Sequence, residues 1–374
     1  MRIGIISRFN PHVDKKAHSG ILYKINQSIE NAGIEIVWIP NPVPTLYKVL
    51  QFACRAYHYL FGKCIYLDRT FIGTKLLAST IDSNKLDECD YVMAIHYFHV
   101  PAFGRIGKPI IYHSDATFEL ANNYYLHNMP RWNVRQAEQI EKMALAHSTW
   151  HLSSSEWREN SVVNHYGINR KQCAVLEYGS CIDTEGIRRT PLNDGILHLL
   201  FMGVDWERKG GEIAVETTKL LNERGIKTVL TVMGLKVEPD SCKNREYINF
   251  VGFLNKNTPA EYERMKQIFC TTDILLLPTK AECSGVVFCE AADYGTAVVT
   301  YDTGGVVSYV KNGLNGSRLP EGSPASAFAD EIERIWRSEG ELDRLSEGAR
   351  KMSVEKLNWN NWTKWFKDNI LIHA

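Results

Sequence analysis

Two glutamates, two cations and a loop of small residues stand where an α/β fold gathers its ligands. Glu282 and Glu290 flank Cys283-Ser284-Gly285, and this stretch follows the apolar run Ile274-Leu-Leu-Leu-Pro278. The apolar run reads as a strand and the residues from Val286 as a helix. Glu282 then sits at a strand's carboxyl end and Glu290 in the early turns of the next helix, where both can face the crevice outside the strand ends. Backbone N–H groups around Ser284, Gly285 and Val286 lie at that helix's N-terminus and suit a phosphate or sugar hydroxyls. A second constellation, Phe201-Met-Gly-Val-Asp-Trp-Glu-Arg-Lys-Gly-Gly211, has the same layout. A strand ends at Gly203 and a helix follows Gly210-Gly211, so Arg208 and Lys209 overhang the same crevice and can neutralise a diphosphate.

In this strand–loop–helix setting the sequence resembles the retaining nucleotide-sugar glycosyltransferases of family 4, whose fold is called GT-B. The likeness runs over almost the whole chain and is strongest from about Leu199 to Pro320. Glu282 and Glu290 match the family's E-x7-E signature. The resemblance implies that Glu290 binds the ribose hydroxyls of the donor nucleotide and Glu282 the hydroxyls of the donor sugar. It also implies that Lys209 and Arg208 stabilise the leaving diphosphate. The family's Gly-Arg…Lys-Gly pattern is met at Lys209-Gly210, but Val204 follows Gly203, and the nearby Arg208 is the candidate substitute.

Smaller features fall in the same register. Met233-Gly234 and Phe253-Leu254 follow successive strands as the family's nucleobase loops do, although such loops also serve as plain connections. Thr303-Gly304-Gly305 either lines the phosphate side or simply turns the chain. Near the N-terminus, Ser19 and Gly20 open the first helix, where free N–H groups can meet donor phosphate or acceptor, or where Ser19 merely caps. His113-Ser114-Asp115 resembles the family's strand-end motif near the donor sugar, with a structural role for His113 and Asp115 equally open. Ser154-Ser155-Glu156-Trp157 and Glu177-Tyr178-Gly179 resemble further cleft segments, with Tyr178 where an Asn is frequent.

The elements that must position these residues repeat a βα rhythm. Strand-like runs at Ile3–Ser7, Ile34–Ile39, Tyr91–Ile95, Pro109–Tyr112 and His151–Ser153 alternate with helical spans. A second series starts at Leu197–Met202 and continues through Thr228–Met233, Ile248–Val251, Ile274–Pro278 and Ala297–Thr300. Apolar runs separated by helices indicate parallel sheets covered on both faces. The expected fold is α/β, two Rossmann-like doubly wound domains facing across a cleft. Residues 1–185 form the acceptor-side domain, joined by a C-terminal helix within 356–374, and residues 186–355 the nucleotide-sugar domain. Between them Asp183–Gly195, with Gly186, Arg188, Arg189, Pro191 and Gly195, reads as a hinge. Trp359, Trp362, Trp365 and Phe366 fall at helical spacing, which packs an aromatic face on the body and can carry the chain back to the first domain.

Bulk properties narrow the function classes. The 374 residues exceed one ordinary core, and 44% hydrophobic with 23% charged residues is a folded composition. Lys plus Arg and Asp plus Glu both total 43, which gives no general pull towards nucleic acid. Nine scattered cysteines without a CxxC pair suggest free thiols rather than a disulfide framework or zinc site, and with no signal-peptide pattern a cytoplasmic location is expected. Tyr47–Phe61 is aromatic, apolar and basic; it is either a helix packed across the first domain or a peripheral contact with the membrane's inner face.

From the resemblance follow a UDP- or GDP-sugar donor, a glycan or lipid-linked acceptor, retention of configuration, and no cofactor or divalent metal. The lack of an Asp-x-Asp pair agrees with the last point. An NAD-dependent oxidoreductase is the rival enzyme, weakened because Arg8-Phe-Asn-Pro stands where G-x-G-x-x-G would follow the first strand. A glycosidase would use both glutamates at one bond and leave the cations unexplained. A non-catalytic nucleotide-sugar sensor would bind donor without turnover.

Overall fold

The computed structural model describes residues 1–184 and 189–373, so Gly186 and Arg188 of the expected hinge, and the expected boundary at 185/186, lie outside the described residues. The chain divides into two compact units, Met1–Leu176 with Trp359–Ala374, and Glu177–Asn358.

The first unit is built on a six-stranded sheet of order β2-β1-β3-β4-β5-β6. Its strands are β1 Arg2–Ser7, β2 Glu35–Pro40, β3 Tyr91–Ile95, β4 Ile110–Ser114, β5 Trp150–Ser153 and β6 Cys173–Val175. The second sheet has the order β12-β11-β10-β7-β8-β9. Here the strands are β7 Leu197–Met202, β8 Thr228–Met233, β9 Ile248–Gly252, β10 Ile274–Leu277, β11 Ala297–Tyr301 and β12 Gly316–Leu319. Every pairing in both sheets is parallel. Helices join most successive strands, and the inner strands β4, β10 and β11 are buried at every residue. This is why they read as unbroken apolar runs rather than alternating ones.

Each strand order reverses once, between β1 and β3 in the first sheet and between β7 and β10 in the second. At such a reversal the connections leave in opposite directions and open a crevice at the carboxyl ends of the strands. The residues singled out by their chemistry follow these strands.

Two segments differ from their sequence reading. From Arg189 onward the polar stretch read as a hinge is fixed to the second unit. The Arg189 guanidinium lies 2.7 Å from Asp273, both side chains are buried, and Arg189 N donates to Tyr294 O at 2.9 Å. A buried carboxylate needs a counter-charge, so this arginine is an anchor and not part of a joint. The aromatic–basic stretch is a helix, Thr45–Phe61, of which Tyr47 alone is fully buried. Packing across the domain therefore describes one of its faces only.

The Trp-rich helix Trp359–Asn369 belongs to the first unit. Thr363 Oγ1 donates to Ser28 O at 3.0 Å, and Trp362 is fully buried with its ring edge-on to His113, centroids 5.1 Å apart. All nine cysteines are free. No helix among the described residues is long and apolar enough to cross a membrane.

Candidate active site

In the second unit the carboxyl ends of β7, β8, β9 and β10 bring together residues more than seventy positions apart. Strand β7 ends at Met202, and Gly203 turns the chain: a Cβ there would stand 2.8 Å from the Lys209 side chain, so only glycine lets that lysine lie back over the strand end. The backbone of Gly203 also receives its neighbour, since Gly203 N donates to Met233 O at 3.0 Å and Gly234 N to Gly252 O at 2.9 Å. The Gly203, Met233-Gly234 and Phe253-Leu254 loops are thus adjacent, as their sequence assignment to one nucleotide pocket requires. Met233 and Leu254 are buried, so they can offer a base backbone groups more readily than side chains.

Lys209 is buried and its ammonium donates to the Glu282 carboxylate, which is buried as well. Arg208 reaches the same loop: its Nη1 donates to Ala281 O at 2.8 Å, and its Nε lies 3.3 Å from Asp205. The two cations and Glu282 expected from sequence therefore sit at the reversal between β7 and β10. Gly285 caps the helix Val286–Tyr294 with φ +82°, a left-handed conformation that favours glycine, and aims the first N–H groups of that helix along the loop. Ser284 and Val286 beside it are buried. Gly305 N donates to Glu282 O at 3.1 Å, which places Thr303-Gly304-Gly305 against the same loop.

Glu290 is almost wholly buried in the fifth position of its helix and accepts a hydrogen bond from Lys256 Nζ at 2.6 Å. Burial is the largest single influence on Lys256 and opposes its charge, but the Glu290 carboxylate together with Cys181 and Asp183 outweighs it and raises the lysine's pKa. In this unit, Lys256 is a residue that sequence reasoning missed. Its only signal is its place in the loop after β9, one strand-end loop like those already chosen. Tyr178 packs behind the site, its carbonyl accepting from Cys289 Sγ at 3.2 Å.

The first unit has its own strand-end cluster at the reversal between β1 and β3. His113, the fourth residue of β4, is fully buried; its Nδ1 donates to Leu152 O at 2.9 Å, so Nδ1 carries the proton and Nε2 can act only as an acceptor. Burial, reinforced by His96, pushes its pKa down to about 3, so the ring is neutral. His96, which the sequence reading did not single out, follows β3; its ring lies 5.3 Å from His113 and 5.1 Å from His18, and its Nε2 3.8 Å from Asp115. His96, His113 and Asp115 place ligand-type atoms within 4.8 Å of one another, and among the described residues they are the group able to hold a metal ion. His18, Ser19 and Gly20 run through φ values of +49°, +60° and +97° before the helix Ile21–Asn31 begins. Two successive non-glycine residues in this region cost roughly 1–3 kcal/mol each, strain of a kind that collects at functional sites. Gly20 is the N-cap, so Ser19 lies one residue outside the capping position expected for it.

Residues 184–352 match the family model "Glycosyl transferases group 1". An uncharacterized glycosyltransferase of Methanocaldococcus jannaschii is 28% identical over 172 residues, 44% of this chain and 42% of that protein. The D-inositol 3-phosphate glycosyltransferase of Paenarthrobacter aurescens is 24% identical over 242 residues, 62% of this chain and 59% of its own. The matches thus span about half the length of these curated relatives. Among solved structures, Anabaena HepE in complex with UDP and glucose superposes with a TM-score of 0.65 at 14% identity, covering 100% of both chains. Residues 184–352 are thus similar to group 1 glycosyltransferases, and the two parallel-sheet α/β units match the fold of GT-B glycosyltransferases.

Proposed function

We propose that this protein is a metal-independent retaining glycosyltransferase that moves a hexose-type sugar from a UDP- or GDP-sugar to a glycan or lipid-linked hydroxyl acceptor. One observation carries the reading: the buried Lys209–Glu282 pair at the reversal of the second sheet, with the buried Glu290 on the helix that follows. Each carboxylate is paired with a lysine, so its buried charge is answered. A nucleoside diphosphate sugar brings two negative charges and several hydroxyls. Its phosphates take over Lys209 and Arg208, and its sugar and ribose hydroxyls donate to Glu282 and Glu290. As the bond from the anomeric carbon to the phosphate oxygen breaks, charge grows on the diphosphate, and the two cations with the Gly285 helix N-terminus stabilise it. The acceptor oxygen bonds to the anomeric carbon on the face the phosphate leaves, and its proton passes to the leaving phosphate oxygen. The structure of HepE with UDP and glucose supports the choice of donor class.

Thermal shift with a panel of UDP- and GDP-sugars tests donor binding. A donor at a hundred times its Kd should add about 2.7 kcal/mol of stability. A panel in which no nucleotide sugar moves the melting temperature counts against the reading, and binding without turnover favours the sensor.

A further inference from the structure

The helix Thr45–Phe61 stands apart from the site. Its inner face holds it in place: Tyr47 packs with Leu67 and Leu77, and Leu50 and Cys54 lie against them. The rest faces outward, with Leu46 55%, Val49 60%, Phe52 73%, Tyr59 90%, Leu60 69% and Phe61 63% exposed. A lone exposed apolar residue is ordinary, but six on one 17-residue helix form a patch. Leu46, Val49, Ala53, Ala56 and Leu60 recur at helical spacing on one side, Phe52 and Tyr59 widen that strip, and Lys48 and Arg55, seven apart, line its far edge. No Asp or Glu occurs from Ile36 to Leu67, while Lys48, Arg55 and Lys63 each carry a positive charge and are exposed.

We propose that this helix docks the first unit on an anionic lipid surface, its apolar strip entering the headgroup–acyl boundary while Lys48, Arg55 and Lys63 meet the headgroup phosphates. The charge pattern selects this occupant. A second copy packed through the same face would set these cations against one another with no carboxylate to answer them. A lipid surface supplies both the anions and an apolar medium for Phe52 and Leu60. The docking itself is independent of sugar transfer; it deepens the proposed function by placing a lipid-linked acceptor on the surface the protein occupies.

Flotation of the full chain with vesicles tests this, using phosphatidylcholine alone and an equal mixture with phosphatidylglycerol, at low and high salt. Binding is expected to the mixed vesicles, weaker at high salt, with little to phosphatidylcholine. The triple variant Lys48→Glu/Arg55→Glu/Lys63→Glu should lower partitioning by about a hundredfold or more, since each basic residue contributes about 1 kcal/mol near such a surface. Phe52→Ser/Leu60→Ser should lower it at least tenfold, by removing exposed apolar groups that would enter the interface. Both variants should keep the parent's melting temperature and donor binding. The proposal is overturned if the parent stays with the soluble fraction at low salt, if neither variant weakens flotation, or if the chain is a dimer that Phe52→Ser/Leu60→Ser splits. A chain that floats but never turns over donor would overturn the transferase reading and leave the docking intact.

Discussion

Glu282 with Lys209, and Glu290 with Lys256, are buried ion pairs, which under the proposed function a donor would have to share or reorganise. Removing one member leaves the other charge buried and unanswered, at a cost of about 3–5 kcal/mol. Glu290→Ala should therefore both lower the melting temperature and weaken donor binding, and Lys256→Met/Glu290→Leu should separate the two effects. In the double variant the melting temperature recovers while calorimetry still shows donor Kd raised at least tenfold, because a hydrogen bond to a charged group contributes about 1.5–3 kcal/mol. Parental affinity in that variant would remove Glu290 from the site. Lys209→Ala should lower kcat more than it raises KM, since charge on the diphosphate grows towards the transition state. A rise in KM alone would make Lys209 a ground-state contact. Glu282, Arg208 and Lys209 were legible in the sequence because each follows an apolar strand and precedes a glycine-marked helix start, and Glu290 because it falls early in the helix that Gly285 opens. Lys256 was not, because its partner lies 34 residues on and the two meet only through the fold of the second sheet. His96 was missed for a similar reason: it follows a strand, but its neighbours His18 and His113 are distant in sequence.

Among the elements, the first unit buries imidazoles that must stay neutral, His113 and His151 in strands and His99 at the start of a short helix after β3. Burial pushes His99, His113 and His151 down to about 3, from an ordinary value near 6.5. Between those values the unfolded chain binds protons that the folded unit refuses. The stability these residues confer is therefore complete above about pH 6.5 and is lost progressively on acidification, each with a slope of at most about 1.4 kcal/mol per pH unit. The melting temperature should fall from pH 6.5 to pH 5, with hydrogen exchange placing the loss in β3–β5. His151 has no hydrogen-bond partner on either ring nitrogen, so His151→Leu should flatten the pH slope without removing a bond; an unchanged slope would contradict this. The inner strands were readable from composition, whereas β6 and β12 were not. Both are short edge strands whose residues are mostly only half-buried: β6 is three residues long, too short to stand out, and β12 (Gly-Ser-Arg-Leu) carries no apolar run. The segment from Arg189 misled for the converse reason: its polar composition gives no sign that Arg189 answers the buried Asp273.

At the scale of the whole molecule, the two units have separate cores, and the chain passes between them at 176/177 and again at 358/359. Removing residues 359–374 takes away Trp362 and the Thr363 bond to Ser28, so hydrogen exchange should show lost protection in the first unit and little change in Glu177–Asn358. Equal loss in both units would mean that they fold as one. Sugar transfer itself is tested most directly by following donor breakdown by proton NMR in EDTA, with UDP-glucose, UDP-galactose, UDP-N-acetylglucosamine and GDP-mannose in turn, with and without a lipid-linked glycan extract. One donor should release its nucleoside diphosphate in EDTA, give a first product with the donor's own anomeric configuration, and turn over far more slowly with Lys209→Ala. Release that requires added Mn²⁺ or Mg²⁺, a first product of inverted configuration, or no turnover of any donor with the extract present would contradict it.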